Sequence, residues 1–313
     1  MDAPARAVHP LVALALVALA VVGYIAGNHR VSTASGESPP GATRSLSVAE
    51  LLVEYPADWE GASAATSIPG LALERAVTLL PHGSVGSGLV VGQLPAGDPA
   101  PLPAAFVARL GGVPHVEVVD LVSTQAFRYS GLAPTGFAGS LDLYAVPVAG
   151  GGERVMGCYT TRRLSPASQQ CERVVANVAP TGPPSPTLSP EPIYARAVSA
   201  VVESLQSERS RARREMNTST DPAALAAASE GLSSRLSSAA ASLAAVQAPP
   251  IAAAAGSALA AALRSMGRAY GSLGEAARSE SLSSYEAARA SVSHAEKRVD
   301  EALESFTLLG YGT

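Results

Sequence analysis

Residues 179–192 read APTGPPSPTLSPEP, and their six prolines divide the chain into two stretches of different periodicity. Proline fixes φ and has no amide to donate, so this segment can build neither a helix interior nor a central strand. Extended polyproline geometry is what remains, and the segment reads as a spacer rather than as the ligand of a proline-binding module.

C-terminal to this break the apolar residues step by three and four. Leu232, Leu236, Ala239, Leu243 and Val246 form one stripe, and Leu259, Leu263, Met266, Tyr270, Leu273 and Ala277 a second. Leu282, Tyr285, Ala288, Val292, Ala295, Val299, Leu303 and Phe306 form a third, and Ile193, Ala197, Val201 and Leu205 begin a helix entered by Pro192. Such stripes are the seams of packed helices. Asp221-Pro222 supplies a cap followed by proline in the first helical position, Pro249-Pro250 forces a hairpin, and Ser283 with Glu286 fits a capping box. Short connections make the helices antiparallel neighbours, so 193–308 is expected to be an antiparallel four-helix bundle, with 309–313 as a tail.

N-terminal to the break the pattern is that of strands. Leu51–Val53, Ala72–Leu80, Gly88–Gln93, His115–Leu121, Gln125–Tyr129, Leu141–Val148 and Arg154–Thr160 read as extended, with helices over Leu102–Leu110 and Ser168–Val178. The first helix offers Ala105, Phe106, Val107 and Leu110 as an inner face, the second Cys171, Val174, Val175 and Val178. The expected class is α+β, an antiparallel sheet with covering helices over 46–178, followed by the bundle.

Three clusters within that first domain carry a resemblance. Tyr55-Pro56-Ala57-Asp58-Trp59, Arg128-Tyr129-Ser130-Gly131-Leu132, and Tyr144-Ala145-Val146-Pro147 leading through a glycine turn to Cys158 and then Cys171 resemble, in order and spacing, the sandwich domain of PsbP-type photosystem subunits and their non-photosynthetic bacterial relatives. The resemblance spans about 130 residues and implies an extrinsic binding or assembly module without shared catalytic residues. Tyr55, Trp59, Arg128 and Tyr129 are the candidate lining of a groove.

Leu11–Ala26 is sixteen residues with no polar side chain except the Tyr24 hydroxyl, and Pro10 and Gly27 extend the uncharged run. Eighteen helical residues reach about 27 Å, close to a bilayer core of roughly 30 Å. No small-x-small cleavage site follows at once, which favours a retained signal-anchor over 10–27, after a short tail 1–9, to a cleaved signal peptide. Residues 28–45, rich in Ser, Gly and Pro, suit a flexible tether. The only cysteines, Cys158 and Cys171, lie thirteen apart without redox or zinc spacing and read as a structural disulfide, the alternative being two buried free thiols. Together these place the chain as a single-pass membrane protein with its C-terminal bulk outside the cytoplasm.

Chemistry is thinly represented. A net charge of −4 and the lack of a basic, aromatic-interleaved face argue against nucleic acid. No GxSxG occurs; His82 or His115 with Asp120 and Ser84 are sequence neighbours on strands and turns that rarely converge into a triad. Gly83–Gly88 lacks the Lys-Ser/Thr of a phosphate loop and reads as a hairpin turn, while His294 with Glu286 and Glu296 lacks a Glu-x-x-His set. Arg209, Arg211, Arg213 and Arg214 read as a solvated helix face. No catalytic residue, cofactor or metal is expected. The expected role is that of a non-enzymatic binding or scaffold module of the bacterial cell envelope, with an envelope protein or polymer as partner. The alternative is a small-ligand or lipid carrier with a pocket in the sandwich or the bundle, which predicts a concave apolar cavity.

Overall fold

The computed structural model of the protein describes residues 42–84, 86–148, 152–161, 166–183, 185–279 and 281–312. Among these residues the order is β1 (Thr43–Val48), β2 (Leu51–Pro56), β3 (Trp59–Gly61), β4 (Glu74–Pro81), β5 (Ser87–Leu94), α1 (Ala104–Val107), β6 (Glu117–Asp120), β7 (Gln125–Leu132), β8 (Ser140–Pro147) and β9 (Glu153–Thr160). Then come α2 (Pro166–Ala176), β10 (Ala179–Pro180) and the four long helices α3 (Pro192–Thr218), α4 (Pro222–Ala245), α5 (Ala253–Arg278) and α6 (Leu282–Leu308). The class is α+β, an antiparallel sheet followed by a helical region, as expected from the sequence. The apolar segment 10–27 lies outside the described residues, and no helix among the described residues is long and apolar enough to cross a membrane.

Seven strands pair antiparallel in the order β3-β4-β5-β9-β8-β7-β6. Successive side chains of a strand point to opposite faces, and in β5, β9 and β8 both sets are apolar. Leu89, Val91, Tyr144, Val146, Met156 and Cys158 are buried on one face; Val90, Leu141, Leu143, Ala145, Val155 and Tyr159 are buried on the other. The sheet therefore needs two covers.

The first cover is α2 with the small sheet β1-β2-β10. Cys171, Val174, Val175 and Val178 pack with Leu51, Val53 and Trp59 onto that face. The Cys158–Cys171 disulfide, with Cα atoms 5.8 Å apart, ties α2 to β9. β1 starts at Thr43, inside the expected tether, and turns into β2 through Ala49 and Glu50, both at positive φ (50° and 56°), the geometry of a two-residue hairpin loop. Neither residue favours that region, so other contacts must hold the turn. Glu50 Oε2 accepts a 2.6 Å bond from Nη2 of Arg154, whose side chain is wholly buried, and the Glu50 carbonyl accepts from the Thr181 amide at 2.8 Å.

The second cover is the helical region. Tyr194, Val198, Leu259, Leu263, Phe306 and Leu308 share one core with Phe127, Tyr129, Leu143 and Val155 of the sheet. Tyr129, fully buried, donates its hydroxyl to the Leu308 carbonyl at 2.8 Å. The rings of Tyr194, Phe306 and Tyr311 meet at 5.5–6.2 Å. The proline-rich segment passes from one cover to the other: Ala179 and Pro180 pair with β2, whereas Leu188 is buried in the core shared with the bundle and its amide donates to Gln125 Oε1 at 3.2 Å. Arg44–Thr313 accordingly form one compact unit.

Helix boundaries follow the caps. Glu191 accepts from the Ile193 and Tyr194 amides, and Asp221 from Ala223, each with proline at the first helical position. For α6 the cap is Ser281, which accepts from Ser284, in place of the expected Ser283–Glu286 box. Ile193 and Leu282, placed on core stripes by periodicity, are exposed; both lie in first turns, and the α3 core begins one residue later at Tyr194. The helix expected over Leu102–Leu110 is a single turn, Ala104–Val107, with Ala105 exposed and Gly111 at φ +74° beyond it. The short strands β3 and β10 carry too few residues to show periodicity.

The packing of α4 against α5 depends on Gly267 and Gly274. A Cβ at either would stand 3.1 Å from a backbone carbonyl of α4, that of Ser233 or of Ala226. Gly231, by contrast, faces open space on α4. We expect Gly267→Leu to cost about 1–3 kcal/mol through overpacking, and Gly231→Ala to gain about 0.8 kcal/mol from helix propensity. Urea unfolding of the two variants beside the parent checks both signs.

Candidate binding cleft

The segment between β5 and β6 is stiffened by Pro99, Pro101 and Pro103. Pro103 serves as the N-cap of α1, its carbonyl accepting from the Phe106 and Val107 amides at 2.9 and 3.1 Å. Leu102, Phe106 and Val107 are buried and nail this segment to the shared core. Its outer side faces α5 and α6, and between them lies a cleft of about 890 Å³. That volume falls in the range of small-molecule sites.

Helical spacing explains the walls. Ala258, Ala261, Ala262, Ser265 and Arg268 recur on one face of α5; Arg298, Ala302, Ser305 and Leu308 do so on α6. Gly111 and Gly112 line the opposite side. Most wall positions on α5 are alanine, so the cleft is smooth, and its charges cluster. Lys297 pairs with Glu301 at 3.5 Å, and Arg298 donates to Ser265 Oγ at 2.5 Å. Arg268 and Arg298 have no carboxylate partner among the described residues. Asp98 and Glu304 are exposed where they border the cleft.

A second groove, of about 660 Å³, lies between α3 and α4. Its charged residues neutralise one another: Arg211 pairs with Glu208 and Glu215, and Arg235 with Glu208. On the neighbouring face Arg209 and Arg213 both pair with Glu296, to which the Tyr270 hydroxyl also donates at 2.8 Å. Burial and that carboxylate together push the Tyr270 phenol up. The arginine run is thus largely engaged in bridging helices, with Arg214 alone of the four lacking an ion pair among the described residues.

Tyr55, Trp59, Arg128 and Tyr129 do not line a common groove. Trp59 is buried under the α2 cover and Tyr55 is partly buried beside it, whereas Tyr129 lies in the opposite core against the bundle. Arg128, on the α2 side, bridges Glu172 (3.4 Å), Glu117 (3.8 Å) and Asp142 (4.0 Å) and sits over the Tyr144 ring at 5.8 Å. Burial pushes the Tyr144 phenol up to about 12, against the pull of Arg128. His82 lies 3.3 Å from Glu60 on an exposed edge, and Asp120 accepts from Gln125, so neither joins a triad with Ser84. Among the described residues no group of three or more His, Cys, Asp or Glu could hold a metal ion.

Glu153 gave no sequence signal. It occupies the bundle-facing register of β9, two residues before Val155, and its Oε2 is buried without a hydrogen-bond partner among the described residues. Burial raises its carboxyl well above the ordinary value of 4.5, and its charge, after burial, contributes to raising the Tyr129 phenol.

No protein-family model and no curated protein matches the chain. Among solved structures it is similar to cyanobacterial PsbP (CyanoP) from Synechocystis, at 12% identity and a TM-score of 0.31, over 48% of this chain and 99% of that one. It is also similar to a crystal structure from Bacteroides thetaiotaomicron, at 11% identity and a TM-score of 0.30, over 73% and 78% of the two chains.

Glu153 yields a pH dependence. With its folded value raised, the native state retains a proton that the unfolded chain releases above about 4.5, so stability falls as pH rises beyond that point. Glu153→Gln is expected to flatten this decline and to be more stable than the parent at neutral pH, measured by urea unfolding across pH 4–8. A steeper decline in the variant would contradict the assignment.

Proposed function

We propose that the chain is a non-catalytic binding module of the bacterial cell envelope, carried at a membrane by residues 10–27, and that its working site is the cleft between the sandwich segment 98–113 and helices α5 and α6. The observation that carries this reading is the cleft itself, a concavity of about 890 Å³ at the junction of two differently built halves. Sites at such junctions are common because neither half alone encloses them. The Cys158–Cys171 disulfide supports an oxidising compartment, since paired thiols persist outside the cytoplasm.

The carrier alternative draws on the same concavity. A cleft walled by alanine and closed on one side by a proline-stiffened segment favours a small ligand over a broad protein contact. Envelope protein or polymer remains the partner class for the surface outside the cleft.

Two measurements test the proposal. Protease added to intact spheroplasts is expected to remove a C-terminal tag, and full protection would overturn the placement. Native mass spectrometry of the full-length protein drawn from the cells that make it is expected to show a bound mass that Ala261→Trp, which fills the cleft, loses. The same spectrum for both proteins would overturn the cleft as the site.

A further inference from the structure

We infer that the cleft takes a single-chain amphiphile with an anionic head, the head between Arg268 and Arg298 and the chain along the alanine faces of α5 and α6. The inference rests on the proposed function and specifies its ligand class.

The walls separate the possible occupants. α5 and α6 are helices whose backbone groups are bonded within each helix, so their sides offer an extended peptide no backbone ladder to pair with. A peptide lying there would leave the amides and carbonyls that face the alanine walls unpaired, which is unfavourable. An alkyl chain carries no such groups. Methyl-sized residues at 258, 261, 262 and 302 form no separate subpockets, which suits a featureless chain. From Ala258 to Arg268 the α5 wall runs ten residues, about 15 Å, the reach of a medium-length acyl chain.

Charge sets the direction. Arg268 and Arg298 lie toward one end, and neither is matched by a carboxylate among the described residues, whereas Lys297 is taken by Glu301. Leu102, Val107 and Leu308 lie toward the sheet junction and are buried in the shared core. Glu304 stands on the α6 rim six residues from Arg298, about 9 Å along the helix, and is exposed to water, as is Asp98. A ligand with its anion at Arg268 and Arg298 leaves those carboxylates hydrated, while a cationic head at the same end would meet unmatched positive charge.

The test uses the full-length protein in phosphatidylcholine nanodiscs and three diazirine-bearing C12 probes that differ only in the head: carboxylate, primary alcohol and trimethylammonium. On irradiation the carboxylate probe is expected to label the 258–268 and 297–308 segments, mapped by mass spectrometry, and unlabelled laurate to compete. The double variant Arg268→Gln/Arg298→Gln, altered at exposed positions, is expected to lose that labelling at least tenfold while its circular-dichroism melting curve stays in place. A lysophosphatidate probe that labels the same segments would extend the head to phosphate and support the same chemistry. Equal labelling by all three heads, or carboxylate labelling undiminished in the double variant, overturns the anionic head. Labelling outside the cleft overturns the amphiphile altogether. In each of these cases the binding-module reading stands or falls separately, on whether Ala261→Trp loses the mass bound in cells.

Discussion

A strand buried on both faces must be covered twice, and β5, β8 and β9 are such strands. Apolar area of this kind contributes roughly 25 cal/mol per Å² only when removed from water, so leaving either face open would forfeit much of what holds the sheet. α2 and the β1-β2-β10 sheet satisfy one side, and the bundle satisfies the other through Tyr129, Phe127 and Val155. The bundle is therefore structurally part of the sandwich. The docked proline segment is a consequence, because a chain passing from one cover to the other has to cross the sheet edge, where Leu188 and Gln125 fix it.

Most of the strand and helix framework was legible because periodicity reports what an element packs against. The four long helices follow their stripes and caps, and the pairing of Cys158 with Cys171 follows from their place before and within α2. Periodicity fails where packing stops. Ile193 and Leu282 continue a pattern into first turns that stay exposed, and Ser281 rather than Ser283 caps α6. The strands read over Gly88–Gln93 and Arg154–Thr160 are present, but the apolar side chains on both their faces also call for a second cover, which a reading of local elements does not supply.

The candidate site was far less legible, for geometric reasons. Arg128 and Tyr129 are neighbours in a strand and so point to opposite faces; no groove can hold both. Trp59 and Tyr129 belong to different cores for the same reason of layering. The cleft draws on residues 98–113 and 258–308, separated by more than half of the described chain, and its walls are alanine and glycine, which carry no chemical signature in a sequence rich in both. Glu153 is a strand-end carboxylate whose burial comes from tertiary packing that no local pattern reports.

The β1–β2 hairpin has a mechanical consequence. β1 lies at the rim of its small sheet with β2 as its one neighbour, and the chain enters at the open end of the pair, away from the Ala49–Glu50 bend. Tension drawn through the N-terminus would unzip the pair rung by rung, which takes far less force than breaking all rungs in shear. The peeling would halt at Glu50, where the buried guanidinium of Arg154 grips the bend, so slack could be given up at the rim while the interior layers stay seated.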